Sequence, residues 1–206
     1  MSLDSHTPAR HGHTRWRRFG VTMLTGLAVT TGLILLTGKG VLAASFSISG
    51  MPFIITSPKL TGTGFEQYAE LDSMAPNSPN EGDTGGQVIV IVSAINKGEL
   101  AGLCQSIELG GMYLKITAGS ASDPVKAEKL IVDSDLITGN ADFTNIEIGN
   151  DASTLDKVPG AKGNIGVFGQ QADTVTITNL RQNNYATTAA VFHLPNLKMS
   201  FSSTGC

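Results

Sequence analysis

The stretch Thr174-Val175-Thr176-Ile177-Thr178 decides the fold. It sets Val175 and Ile177 on one side of the chain and three threonines on the other, the period-two pattern of a half-buried strand. Leu197-Lys198-Met199-Ser200-Phe201 repeats it, with Leu197, Met199 and Phe201 expected to face inward. Met112, Leu114 and Ile116 alternate with Tyr113, Lys115 and Thr117, and Phe46 and Ile48 alternate with serines. Alternation rich in Thr, Val and Ile marks antiparallel strands with one wet face. Val88-Ile89-Val90-Ile91-Val92 is instead an unbroken β-branched run, which predicts a central strand covered on both faces.

No segment after residue 44 reads as an amphipathic helix. The nearest, Lys97 to Gln105, contains Gly98 and Gly102, each costing about 1 kcal/mol in a helix interior. Residues 45–206 are therefore expected to form a single all-β domain, an antiparallel β-sandwich or flattened barrel. Pro76, Pro79, Gly82, Gly85 and Gly86 lie in a segment without apolar period, which predicts an exposed loop at 73–86. A second loop is expected from Asn150 to Gly163. A short echo also runs through the chain, in which Lys or Asn precedes Leu or Ile: Lys59-Leu60, Lys129-Leu130, Asn145-Ile146, Asn179-Leu180 and Asn196-Leu197. Thr61 to Phe65 and Thr138 to Phe143 read as two similar turns. The spacing is irregular, so the echo is read as repeated turn chemistry in a meander rather than as a solenoid.

Residues 1–44 bear on the compartment. Arg10, Arg15, Arg17 and Arg18 precede an uncharged run from Phe19 to Gly38, followed by Lys39 and the small-residue exit Val41-Leu42-Ala43-Ala44. That order is the grammar of a secretory signal. It puts the rest of the chain outside the cytoplasm, extracellular or at the cell surface. The apolar run, about 18–20 residues, is also just long enough to cross a bilayer. Residues 1–44 are thus either a cleaved signal peptide or a retained N-terminal anchor helix, with membrane contact through residues 19–38 in the second case. Thr and Gly dilute the run, which favours cleavage.

Residues 45–206 carry nine Lys plus Arg against sixteen Asp plus Glu, a net charge of −7 that the whole-chain value of −3 conceals. Arg181 is the only arginine among them. This composition is a poor match for nucleic acid, which requires clustered cations, and for anionic lipid headgroups. Cys104 and Cys206 are the only cysteines. An even count in an oxidising compartment favours a Cys104–Cys206 disulfide. A bridge across about 100 residues stabilises by up to about 4.7 kcal/mol through loop entropy. A free thiol and an interchain bond through Cys206 are the alternatives.

Catalytic chemistry is thinly represented. His193 is the only histidine after residue 44 and no Gly-x-Ser-x-Gly elbow occurs. His193 is therefore the one candidate base for a hydrolase, set against an ordinary sheet-face histidine. Asp133, Asp135 and Asp142, near Gly139 and Asn140, are weak calcium candidates at what reads as a hairpin end. They lack EF-hand spacing. Glu66, Glu70 and Asp72 flank Tyr68 and read as a polar strand end. No zinc set and no phosphate-cradling loop is present, so no cofactor is expected. The only Trp, Trp16, lies in the leader, which argues against sugar stacking.

Asn145-Ile146-Glu147-Ile148-Gly149-Asn150-Asp151-Ala152-Ser153-Thr154-Leu155, Phe168-Gly169-Gln170-Gln171-Ala172-Asp173, Leu180-Arg181-Gln182 and Leu103-Cys104-Gln105-Ser106 resemble a family of exported proteins. It is an all-β family of unknown function from filamentous Gram-positive bacteria, whose members carry automatic cholesterol esterase names. The resemblance implies secretion and a β-fold, and it brings no catalytic residues. The leading expectation is a non-catalytic secreted or envelope protein that binds a lipophilic ligand or a surface partner. The alternatives are a lipid-ester hydrolase and a structural, self-assembling surface protein.

Overall fold

A computed structural model describes residues 47–206, together with Trp16, Phe19 and Met23. The chain divides into two units, Met1–Leu42 and Ala43–Cys206. The signal or anchor helix read from residues 1–44, and Phe46, lie outside the described residues, those three apart. The second unit is all-β. Its strands are β1 (Phe53–Ser73), β2 (Gln87–Leu100), β3 (Leu103–Leu109), β4 (Met112–Ala118), β5 (Val125–Thr144), β6 (Glu147–Asp151), β7 (Phe168–Thr188), β8 (Val191–His193) and β9 (Lys198–Ser202). All pairings between these strands are antiparallel. Lys97 to Gln105, where Gly98 and Gly102 argued against a helix, runs through the end of β2 into β3.

The sheet order is β6-β7-β5-β2-β1-β3-β4-β9, and a further pairing joins β7 to β1. Strands β1, β2, β5 and β7 therefore close a ring of four. β1 holds β7 along one edge from Phe53 to Tyr68. Its other edge takes β2 from Leu60 to Ser73 and then β3 from Ile54 to Thr56, in one continuous register. At Ala101 and Gly102 the sheet divides. β2 passes into the ring through β5, whereas β3 leads to a flat extension through β4 and β9. The ring encloses the main core, which includes Leu60, Phe65, Ile95, Val125, Val175 and Leu180.

Closing so few strands demands strong coiling, and β-bulges and left-handed residues supply extra twist. Four of the five echo positions are such residues: Lys129, Asn145, Asn179 and Asn196 all have positive φ, while Lys59 does not. Asparagine tolerates this conformation better than most residues. Thr61–Phe65 and Thr138–Phe143 are not turns but mid-strand stretches of β1 and β5. Gly64 has φ +66°, and a Cβ there would lie 2.5 Å from the carbonyl of Lys157. Gly139 sits at a register shift between β5 and β7. The glycines read as turn residues serve close approach and twist instead.

Two expectations about coverage are corrected. The run Val88–Val92 alternates in burial: Val90 and Val92 are buried, whereas Ile89 is 73 % exposed. β2 is central in order, but its start overruns the ring, and β5 pairs it only from Ile91 onward. Leu197, Met199 and Phe201 are also exposed, at 51, 59 and 67 %. Met199 and Phe201 lie on the side of the sheet that elsewhere lines the core, but there no described residue covers them.

Cys104 and Cys206 form a disulfide with a Cα–Cα distance of 5.9 Å. No free cysteine remains, which removes the free-thiol and interchain alternatives. Cys206 N–H donates to Ser106 Oγ at 2.9 Å and Arg181 donates to the Cys206 carbonyl at 2.9 Å. The C-terminus is thereby fastened to β3 and β7.

On its other face, β1 carries Glu66, Tyr68, Glu70 and Asp72. The polar strand end expected there is only partly so, because Glu66 and Tyr68 are buried. The loop after β6 folds over them, burying Ala152, Leu155, Val158 and Ala161. Glu66 Oε1 accepts from the Val158 N–H at 2.5 Å, and its Oε2 is buried without a partner. The exposed Lys157–Asp173 ion pair, 2.7 Å, also ties this loop down, although such pairs contribute little. Burial pushes the Glu66 carboxyl up from 4.5 to about 7, against the hydrogen bonds from Val158 and Lys157. Asp133 of β5 is pushed from 3.8 to about 7 by burial first and then by Asp72 and Glu70.

Two outcomes follow. Between their ordinary values and about 7, Glu66 and Asp133 hold protons in the folded state that the unfolded chain has released. Stability therefore falls as pH rises through that window and levels off above it. Thermal melts at a series of pH values should show this, and Glu66→Gln and Asp133→Asn should each flatten the slope. Separately, Cys206→Ser or a reductant should cost about 2–5 kcal/mol in urea unfolding, with no change in oligomeric state on gel filtration.

Candidate ligand-binding cavity

Along β1, Phe65 and Gln67 face the ring interior; along β2, Ile91, Ser93 and Ile95 do so. These residues line a cavity of about 380 Å³. Directly paired residues of neighbouring strands share a face, so the row Ile137–Gln182–Ile55 across β5, β7 and β1 forms one wall. The Phe65 and Phe143 rings meet across the interior with centroids 5.3 Å apart.

The opening follows from strand lengths. β5 leaves β2 after the Ser134–Ile91 pair, and the rest of β5 is bonded only to β7. The unpaired edge of β5 beyond Ser134 borders the cavity, and Leu136 and Ile91, half-exposed, stand at its rim.

Most of the polar groups of the wall are hydrogen-bonded, to each other or to residues outside the cavity. Gln67 Nε2 donates to Ser93 Oγ at 2.9 Å and Gln170 donates to Gln67 Oε1 at 2.6 Å. Asp135 accepts from Asn183 at 2.8 Å. Thr138 Oγ1 donates to the Arg181 carbonyl at 3.3 Å. Thr187 Oγ1 is buried in the wall without a hydrogen-bond partner among the described residues, and the Gln182 amide lies in the same wall. Among the described residues no Lys, Arg or His lines the space. A chamber of this size and lining suits a largely apolar molecule, and it offers no counter-charge to an anion.

The candidates read from sequence fall elsewhere. His193 is exposed on β8, opposite Lys126, and no side-chain hydrogen bond joins it to another described residue. Its neighbour Phe192 lines the cavity, so alternation turns His193 away from it. No serine or carboxylate is assembled with it. The calcium candidates do not converge. Asp133 is on the Tyr68 face, Asp135 is held by Asn183, and Asp142 is exposed. Asp133 and Asp142 are roughly 30 Å of strand apart, and the expected hairpin end is strand interior. Among the described residues no cluster of three or more His, Cys, Asp or Glu could hold a metal ion. Gln182 and Thr187 were not legible as site residues, because Arg181-Gln182-Asn183-Asn184 shows no alternation to reveal which side is inward.

No curated protein matches the chain, and no solved structure does. Residues 49–206 match the model of a family of unknown function, DUF6230, and the chain belongs to that family.

Proposed function

We propose that this protein is a non-catalytic, extracytoplasmic binder of an uncharged lipophilic molecule, held inside the four-strand ring, which we read as a flattened barrel. The observation that carries the reading is the largely apolar cavity of about 380 Å³, whose wall includes the buried and unpartnered Thr187 Oγ1. Secretion or envelope attachment is supported by the leader pattern and by the disulfide. The net charge of −7 over residues 45–206 favours solubility and disfavours nucleic acid as a partner. The lipid-ester hydrolase alternative has less support, since His193 faces away from the cavity and has no triad partners. The self-assembly reading loses the cross-link that Cys206 would have supplied, because Cys206 is bonded within the chain.

Native mass spectrometry of the purified protein and titration with diphenylhexatriene, an uncharged apolar fluorophore, test the reading. Saturable binding of one probe per chain is expected, with a fluorescent fatty acid anion bound at least about tenfold more weakly, a difference of about 1.4 kcal/mol. Ala141→Trp, at an exposed position on the cavity wall, should block the probe while leaving the melting profile intact. Equal binding to wild type and Ala141→Trp would sink the proposal.

A further inference from the structure

The cavity wall does not stop at the ring. The row Ile137–Gln182–Ile55 continues through Gln105 of β3 and Ile116 of β4 to Met199 of β9. All six side chains therefore lie on one side of the sheet. A second row, Ile107–Leu114–Phe201, runs beside it, and Leu109 pairs with Met112. At the ring this side is core. On β3 and β4 it is still buried at Leu103 and Ala118; beyond them, and on β9, it opens, with Met112, Met199 and Phe201 at 50, 59 and 67 % exposure.

Charge separates the two faces of this extension. The charged residues of the three strands, Glu108, Lys115 and Lys198, fall on the alternate positions and so on the reverse face. The reverse face also carries the disulfide and the Lys115 contact to the Gly205 carbonyl. The open face holds no charge at all. Three strands of five to seven residues span roughly 14 by 20 Å, about 300 Å². That falls short of the roughly 800 Å² per partner of a standard protein interface, so a second copy is a poor occupant. The extent of this face matches the largest apolar patch of a typical monomer, which is often functional.

We propose that the open face of β3, β4 and β9 seats on a lipid surface without net charge, so that Met112, Met199 and Phe201 enter the headgroup–acyl boundary. The backbone edge of β9 stays in water, because such contacts reach only about 5–10 Å deep. The proposal rests on the lipophilic-ligand reading in one respect. The face is continuous with the cavity wall through Gln105 to Ile55, so the surface and the cavity share one side of the sheet.

The test reads position rather than bulk binding, so that residues 19–38 cannot mimic the result. Met199→Cys and Glu108→Cys, both at exposed sites, are each labelled with the environment-sensitive fluorophore NBD in the full chain with the native disulfide intact. With phosphatidylcholine vesicles, the label at 199 should brighten several-fold and shift to the blue, and the label at 108 should not. Phe201→Asp combined with Met199→Cys should abolish the change. No response at 199, an equal response at 108, or a vesicle-independent response that grows with protein concentration would overturn the proposal, the last in favour of a second copy. Diphenylhexatriene binding is measured on the same samples. Loss of the vesicle response with probe binding retained rejects the docking face alone; the converse rejects the cavity reading alone.

Discussion

The structure depends on one constraint, the closure of four long strands into a ring. β1 is hydrogen-bonded along both edges, with β7 on one side and β2 followed by β3 on the other. A ring of four can close only if its strands tilt and coil steeply. The left-handed residues distributed through it, Gly64, Lys129, Gly139 and Asn179, are where that coiling is concentrated. For an ordinary L-residue such a conformation costs about 1–2 kcal/mol. Glycine and asparagine occupy three of these four positions, and Lys129 is the exception. The strands are also longer than the ring needs. Their overruns generate the rest of the molecule: the start of β2 leaves Ile89 exposed, the end of β5 leaves the cavity open, and β3 leads away to β4 and β9.

This division explains what could be read from sequence. Alternation at Thr174–Thr178 and Leu197–Phe201 reports which side chains share a face, and those assignments agree with the registers. Alternation does not report whether that face is covered. Met199 and Val175 follow the same rule, but one is 59 % exposed and the other fully buried. Coverage depends on which strand returns to close the ring, a pairing between residues more than 100 positions apart in β1 and β7. The echo is a similar case. Lys or Asn before Leu or Ile marked a real local conformation, positive φ at four positions. Its irregular spacing reflects where twist is needed rather than a repeating unit. The reading of turns failed where glycine serves a mid-strand purpose, as at Gly64 beneath the Lys157 carbonyl. The cavity was invisible in advance because its wall mixes residues from separate strands and its polar members follow no period.

The two sides of β1 have different chemistry for a simple reason. Phe65 and Gln67 face a space enclosed by strands, whose backbone groups are mostly paired within the sheet, so the side chains there are predominantly apolar. Glu66 and Tyr68 face a loop, whose free N–H groups need acceptors, and Glu66 supplies one to Val158. A buried carboxyl thus fastens irregular backbone, at the expense of a raised pKa and one unpaired oxygen.

The same reasoning accounts for a cysteine at the last residue. β9 has five residues, and its apolar side chains are among the most exposed of the domain. Burial, which holds the ring strands, cannot hold it. Its five pairings with β4 form a single edge, and an edge strand without a packed face is marginal. What replaces packing lies entirely on the polar face: the Cys104–Cys206 bond, the Cys206 N–H to Ser106, and the Lys115 and Arg181 contacts to the terminal carbonyls. A covalent staple on one face permits the other to stay apolar and uncovered without the strand fraying. Had β9 been held by packing its Met199 and Phe201 against the domain, no such face would exist.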